Sequence, residues 1–533
     1  MSKHFKSEIL NGNGRSLSGP SRRGVLAGLA GTGLAVSATG LLTAGQAQAA
    51  TPKKGGHYRV GIHEGNTNDS LDPRTTNGVC MIQLNHTIFN FLVEIDTDDS
   101  IIPELAESWE ASGDAKSWLF KIRSGVEFHN GKPLTASDVV ASIMYHLRDD
   151  SESAAKPLLE GVTSITAEDE HSVRFELSEG NADLPYVLTD YHFVILPADG
   201  EGNVDISGVG TGGYMLDSFE PGVRIEMTRN PNYFKDGRAH FDEVTFLIIN
   251  DSNARTNALL TGEVDSDSQV AANTLQFIER NDRVTIDNVP SAAHVTIPMH
   301  VDTAPFDNVD VRLALKHAID RQEAIDKVMG GAAVVGNDHP IGPTMPYYSE
   351  LEQNTFDLDK SKFHLKKAGM EDLSVTLAAS DAAFPGAVDM ATLFQASAKK
   401  AGINMKVDRK PADNYWSDVW LKNPFCTASW GARPTPQIMF SLGYKGGAAW
   451  NESHWDNAQF NSLLEKTKAE LDDAKRTEMY AEMMRLCRDD GGTVVPFFYN
   501  RLSARGKNVA HSDKISGNWQ LDGARSAERW WFE

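Results

Sequence analysis

Phe128-His129-Asn130-Gly131-Lys132-Pro133-Leu134-Thr135-Ala136-Ser137-Asp138-Val139-Val140 holds the start signal of a helix at its centre. In Thr135-Ala136-Ser137-Asp138 a hydroxyl and a carboxylate three residues apart can satisfy the free amides of a first turn, which is a capping box. Behind it Val140, Ile143, Met144 and Leu147 recur at i, i+3, i+4 and i+7, predicting a helix with one apolar stripe. Downstream, Val173, Phe175 and Leu177 alternate as in a half-buried strand, and Val244-Thr245-Phe246-Leu247-Ile248-Ile249 reads as a strand buried on both faces. Upstream, residues 58–62 form a short alternating strand, Leu71-Asp72-Pro73 a turn, and 82–92 a helical stretch. Further on, Asp320 caps a helix that Gly330-Gly331 terminates. Phe460, Leu463, Leu464 and Leu471 form one stripe near the C-terminus, and Tyr480, Met483, Met484 and Cys487 another. Helices and strands alternate with no repeat and no linker after Ala50, so the fold class is α/β with interrupted domains.

Composition narrows the function. The 533 residues include 51 basic and 73 acidic side chains, a net charge of −22, with 41% hydrophobic and 23% charged residues. Such a chain forms a globular core and repels nucleic acid and anionic lipid. Cys80, Cys426 and Cys487 fit neither a disulfide framework nor a zinc ligand spacing; Cys487 reads as a small core side chain, and one disulfide from the three stays open.

Residues 1–49 read as an export signal. A polar leader runs into Ser21-Arg22-Arg23-Gly24-Val25-Leu26, residues 24–49 carry no charge, and Ala47-Gln48-Ala49 is a small-x-small cleavage pattern. Paired arginines before a mildly apolar segment are the twin-arginine type, and no Cys at the cleavage site calls for a lipid anchor. No later segment has the ~18 apolar residues that span a bilayer. The expected location is therefore periplasmic.

No catalytic constellation is visible: GxSxG, HExxH and Walker loops are absent. Gly208-Val209-Gly210-Thr211-Gly212-Gly213 spells GxGxxG, but a strand and turn follow it rather than a phosphate-binding helix. The pairs His57/His63 and His294/His300 could each share a strand face, yet two imidazoles without a third ligand do not make a metal site. No cofactor and no metal is called for.

Aromatic residues stand out instead. Trp416, Trp420, Trp430, Trp450 and Trp455 crowd one stretch with Tyr415 and Tyr444. Trp416 and Trp420 at i, i+4 read as partly buried helix packing. Trp430-Gly431-Ala432-Arg433-Pro434-Thr435-Pro436 differs, because its prolines forbid regular structure after an apolar run. It reads either as core packing or as a ligand contact: an indole wall beside a forked donor for carboxylate, sulfonate or phosphate.

With these residues the chain resembles the family 5 extracytoplasmic solute-binding proteins of ABC importers, the dipeptide-, oligopeptide- and nickel-binding group. Ile102-Pro103-Glu104-Leu105-Ala106-Glu107-Ser108-Trp109, the 128–140 stretch, and Gly210-Thr211-Gly212-Gly213-Tyr214 (Gly213 in place of the usual Pro) are similar to its motifs. So are Asn230-Pro231-Asn232-Tyr233-Phe234, Leu259-Leu260-Thr261-Gly262-Glu263-Val264-Asp265, Pro305-Phe306-Asp307 and Val311-Arg312-Leu313-Ala314-Leu315 with Ala318-Ile319-Asp320-Arg321.

The resemblance implies a two-lobed periplasmic binding protein (class II, cluster C-like) with a hinge and an additional domain. Its domains would be a discontinuous domain I (50–84, 205–302, 500–533), domain II (85–204) and domain III (303–499). It implies no enzyme, and a monomer that captures peptides or peptide-like small molecules and delivers them to an inner-membrane ABC permease with its ATPase. Dipeptide binders carry an Asp where the register from Trp430 places Arg433, and that Asp pairs with the peptide's ammonium. Arg433 would repel an ammonium and is expected to meet an anionic group. This leaves a non-peptide anion such as a sugar acid, opine or chelate as the alternative, with a periplasmic hydrolase or chaperone behind it. Nickel import fits less, since no His or Cys cluster accompanies Trp430. By family position the ligand contacts are Trp430, Arg433, Trp416, Trp450 and Asn451, with Thr76, Asn77 and Gly78 in the first loop.

Overall fold

The computed structural model describes residues 52–533; the leader with its twin arginines and cleavage pattern lies outside the described residues. A seven-stranded sheet runs in the order Val284–Val289, Arg501–Gly506, Ser266–Asp267, His57–Ile62, Glu243–Ile248, Arg224–Arg229, Tyr214–Glu220. His57–Ile62 pairs in parallel with both its neighbours, and the remaining pairs are antiparallel. Tyr58, Val60 and Ile62 alternate into the core, where Tyr58 stacks on Phe241 and donates to Ser266 Oγ at 2.8 Å. The GxGxxG string precedes strand Tyr214–Glu220, as its reading requires. Its glycines serve close packing: a Cβ on Gly210 would lie 2.0 Å from Ile88 O, at the end of helix Gly78–Ile88.

A four-stranded antiparallel sheet, Ala106–Ala111, Ser117–Ile122, Ser172–Leu177 and Val162–Asp169, packs against helix Ala136–Leu147. The capping box is formed, with Thr135 N donating to Asp138 Oδ2 at 3.0 Å. Of the expected stripe, Ile143 is buried and Val140 and Leu147 pack half-buried against the core, but Met144 is 40% exposed, and Val139 and His146 are buried as well. Polar side chains can take inward places because they find partners there. His146 hydrogen-bonds with Ser153 Oγ at 2.7 Å, and Ser142 Oγ accepts from Leu196 N at 2.9 Å.

The second lobe is built on Ala333–Val335, Phe497–Tyr499, His294–Pro298 and Ala428–Trp430, with Thr493–Val494 also pairing to His294–Pro298. A parallel pair, Ser374–Ala379 and Asn404–Arg409, joined through helix Ala387–Lys400, packs in the same core. The Tyr480/Met483/Met484/Cys487 stripe is buried as expected, with Phe460 and Leu464 against it. Leu471 instead lies beyond the end of helix Ala458–Thr467, exposed. All three cysteines are free, buried thiols.

The chain crosses between the lobes twice in this region. Strands Val284–Val289 and Arg501–Gly506 pair in the first lobe, while the strands adjoining them in sequence, His294–Pro298 and Phe497–Tyr499, pair in the second. The crossings are residues 290–293 and Asn500, tied by Ser291 Oγ donating to Tyr499 O at 2.7 Å and Tyr499 N to Ala293 O at 2.9 Å. His294–Pro298, grouped by the sequence reading with 205–302, thus takes its ladder partners from the second lobe.

Candidate functional site

Trp430 ends strand Ala428–Trp430 opposite His294 and is 4% exposed. The next residues leave the sheet, and Thr435 then caps a helix whose first residue is Pro436, accepting from Ile438 N at 3.3 Å. Pro436 therefore starts a helix rather than forbidding one, since a first-turn proline loses no intrahelical bond. Arg433 folds back within this loop. Its guanidinium carbon lies 5.7 Å from the Trp430 ring centre, and Nη1 donates to Gly431 O at 3.2 Å and Ala432 O at 3.1 Å.

Three more indoles continue in a row from Trp430. Trp430 to Trp450 measures 6.0 Å between ring centres, Trp450 to Trp420 6.1 Å, and Trp420 to Trp416 5.5 Å. Trp416 and Trp450 are 42% and 45% exposed; the helix expected to hold Trp416 and Trp420 spans only Tyr415–Asp418, so Trp416 is not buried by it. Behind the row Glu452 accepts from Trp420 Nε1 at 2.7 Å, and burial pushes its carboxyl pKa up.

The other expected contacts have local duties. Asn451 Nδ2 donates to Trp455 O at 2.7 Å and Lys445 O at 3.1 Å, which fixes the loop carrying Trp450. Thr76 is buried and accepts from Asn85 Nδ2 at 3.0 Å; Asn77 caps helix Gly78–Ile88; and Gly78 adopts φ +77° with Glu64 O where a Cβ would sit. These three hold the first loop, and Glu64 joins them by accepting from Val79 N at 3.0 Å.

Sequence reading missed Arg501, Tyr499 and Tyr191. Tyr499 and Arg501 are two residues apart at a crossing, and Tyr499 OH reaches Trp430 O at 3.4 Å. Burial raises the Tyr499 hydroxyl pKa while the Arg501 and Arg433 guanidiniums both pull it back, so Tyr499 senses both cations. Burial lowers the pKa of Arg433, against Tyr191, Tyr499 and Asp190, and lowers that of Arg501, against Tyr499 and Glu64. Neither arginine forms an ion pair among the described residues, and Arg501 Nε is buried without a partner. Of the nearby carboxylates, Asp190 meets His192 at 2.6 Å and Glu64 the helix amide, while Asp99 borders the space beside Arg433 and burial raises its pKa to about 6. The one signal that could have exposed Arg501 is the cation two residues beyond the aromatic run Phe497-Phe498-Tyr499.

Beside Arg433 a space of about 10 Å³ is enclosed by Ile95, Asp99 and Asn518 on one side and Thr344, Met345 and Pro434 on the other. That volume holds no more than a water. A larger opening of about 580 Å³ adjoins it, sharing Asp99, Thr344 and Met345. Asp98, Asp287 and Asp513 line that opening together with His511 and Lys514, and no indole borders it. Nearby, Asp183 of the first lobe is buried against Arg476 and Thr435 of the second, and Arg476 Nη1 donates to Tyr347 OH at 2.8 Å.

Known proteins similar to this chain identify its family and fold. The model of the bacterial extracellular solute-binding proteins, family 5 (middle), matches residues 100–452. The probable D,D-dipeptide-binding periplasmic protein DdpA of Escherichia coli (strain K12) is 27% identical over 474 residues, covering 83% of this chain and 89% of its own. Among solved structures, AgaA from A. tumefacien R10 in complex with agropinic acid is 25% identical, with a TM-score of 0.69 over 90% of this chain and 99% of its own. HbpA2 from Haemophilus parasuis, at 20% identity, superposes with a TM-score of 0.78 over 88% of this chain and 98% of its own, a likeness of fold. Those structures are two-lobed binding proteins, and so is this chain.

Proposed function

The chain belongs to family 5 of the bacterial extracellular solute-binding proteins, and from that premise we propose that it is the exported binding component of an ABC importer. It captures a peptide or peptide-like small molecule between its lobes, with an acidic group of the ligand held by Arg433 and Arg501. The observation that carries this reading is a pair of half-buried guanidiniums that form no ion pair among the described residues, both acting on the Tyr499 hydroxyl that reaches Trp430 O at 3.4 Å. A forked cation in a dry site is costly until an anion fills it, so ligand binding supplies what the fold leaves out. The space beside Arg433 is too small for any solute, so entry requires the lobes to separate at residues 290–293 and Asn500 and close again.

The twin-arginine leader would deliver the chain folded to the periplasm, where it acts as a soluble monomer and hands ligand to a permease that has its own ATPase. A second reading, a non-peptide anion such as a sugar acid or opine, is favoured by Arg433 itself and by the likeness to an agropinic acid binder.

Melting temperatures against two panels separate the readings. One panel holds di- to pentapeptides with free and acetylated N-termini and with free and amidated C-termini; the other holds sugar acids and opine-like anions. A ligand at 100 times its Kd stabilises by ~2.7 kcal/mol. Peptide-specific shifts that need a free C-terminal carboxylate support the first reading, and shifts with non-peptide anions alone support the second. Shifts with peptides lacking any carboxylate would sink the Arg433/Arg501 assignment.

A further inference from the structure

Away from the indole row, His300, Asp302 and His454 converge, although 152 residues separate Asp302 from His454. One donor atom from each lies within 4.8 Å of the others. His454 Nδ1 sits 3.0 Å from Asp302 Oδ2, and the His300 and His454 rings stack with centres 3.9 Å apart. The frame beneath them is fixed by backbone hydrogen bonds. His300 N donates to Pro424 O at 2.9 Å, Val301 N to Ser453 O at 2.9 Å, and Met299 N to Gly492 O at 2.7 Å. His300 is only 5% exposed, and its Nε2 is buried with no hydrogen-bond partner. A buried polar atom left without a partner in an otherwise well-bonded frame calls for an explanation, and a bound ion is one.

We propose that His300, Asp302 and His454 form a binding site for a divalent transition metal of the zinc and nickel class. Two imidazoles and one carboxylate suit those ions and not magnesium or calcium, which prefer all-oxygen shells. Three protein ligands leave coordination positions open, and the exposure of Asp302 and His454 turns those positions to water. Side-chain rotations are enough to draw the donors together, because Asp302 and His454 are free to move at the surface while His300 is held. The other convergence of carboxylates, Glu94, Glu104 and Glu528, is no such site, since Lys235 already reaches all three.

The site is separate from the ligand contact at Arg433. Trp450 and Glu452 of the same loop meet Trp430 and Trp420, whereas His454 reaches Asp302. A bound ion would pin this loop to the end of strand His294–Pro298 and so steady the indole row from behind. Such a site stayed hidden in the sequence because its third ligand comes from a distant segment.

The test is equilibrium dialysis of the protein, without a polyhistidine tag, against zinc ion and separately nickel ion, with bound metal counted by mass spectrometry. One ion per chain at micromolar concentration is expected, with affinity at least tenfold weaker in His454→Ala and in Asp302→Asn. Both replaced side chains are exposed, and an unchanged circular dichroism spectrum shows that the variants fold. Arg433→Ala should keep the ion, and zinc should raise the melting temperature of the wild type but not of His454→Ala. No stoichiometric ion, or equal binding in both site variants, overturns the proposal. Loss of the ion in Arg433→Ala alone overturns it too, by placing the metal in the ligand cleft.

Discussion

Around Glu104 every buried charge has an opposite charge within reach, whereas Arg433 and Arg501, half-buried near the crossing between the lobes, form no ion pair among the described residues. Lys235 Nζ lies 2.5 Å from Glu94, 2.6 Å from Glu104 and 3.1 Å from Glu528. Arg525 reaches Glu104 at 3.0 Å and Glu528 at 2.8 Å, and Arg529 reaches Glu94 at 2.5 Å and Asp522 at 3.1 Å. Asn90 and the Phe91 amide complete the Glu104 oxygens at 2.8 and 2.9 Å. This cluster fastens the C-terminal segment to the 94–104 region and the loop of Lys235. Among the described residues the two arginines form no ion pair, and Arg433 donates only to carbonyls of its own loop. The contrast separates a structural use of buried charge from a functional one: where the chain can complete a charge itself it does, and where it does not, the partner is expected from outside.

The comparison can be broken most forcefully at the paired cluster. Glu104→Gln removes one charge and leaves Lys235 and Arg525 short of a partner, so it should lower unfolding free energy by about 3–5 kcal/mol in denaturant titrations. A loss below about 1 kcal/mol would show that the cluster is no fastening. The acid limit of the same cluster is set by its carboxylates. Burial alone would raise the Glu528 carboxyl, but Lys235 and Arg525 beside it hold its pKa down at about 2. A folded pKa below the unfolded one means that this stabilisation is complete above about pH 4.5 and is lost as pH falls toward 2. Melting temperature followed between pH 6 and pH 2 should therefore fall chiefly in that window.

The unpaired side predicts the reverse pattern. Arg433→Ala and Arg501→Ala should each weaken an anionic ligand by about 1.5–3 kcal/mol, the worth of hydrogen bonds to a charged group, which is roughly 10- to 150-fold in Kd. Unfolding free energy should stay level or rise slightly in both. Calorimetric titration beside a denaturant curve reads both quantities. Destabilisation as large as that of Glu104→Gln would make these arginines structural and erase the contrast.

A smaller effect sharpens the electrostatics. Asp99 lines the space beside Arg433, and burial raises its pKa to about 6. Above pH 6 it carries a charge that repels an anion there, and below pH 6 it is neutral. The Kd of an anionic ligand should tighten a few-fold from pH 7.5 to 5.5 in the wild type and stay flat in Asp99→Asn. A steeper change that persists in Asp99→Asn would point to a different titrating group.

Much of the fold was legible where a signal is complete within one turn or one strand. The Thr135/Asp138 box, the Asp320 cap, the Tyr214–Glu220 strand and the Tyr480–Cys487 stripe all depend on neighbours a few residues away. The misread positions depend on distant partners. Met144 looked apolar enough to face inward, but His146 and Ser142 hold the inner places through Ser153 and Leu196. Pro436 looked like a breaker until Thr435 gave it a helix to start. At the site, Trp430 and Arg433 were visible as a wall and a fork. Thr76, Asn77, Gly78 and Asn451 prove to have loop-holding bonds of their own.

The sequence by itself determined the class of the fold, the family resemblance and the presence of a cation on a loop after Trp430, because caps, periodicities and motifs are local. Only the tertiary structure decided which cations are spoken for. Arg525 finds Glu104 across 421 residues, while Arg433 and Arg501 both act on Tyr499 and neither forms an ion pair among the described residues. Whether a buried charge is paired is set by which segments the folded chain brings side by side, and no spacing along the chain records it.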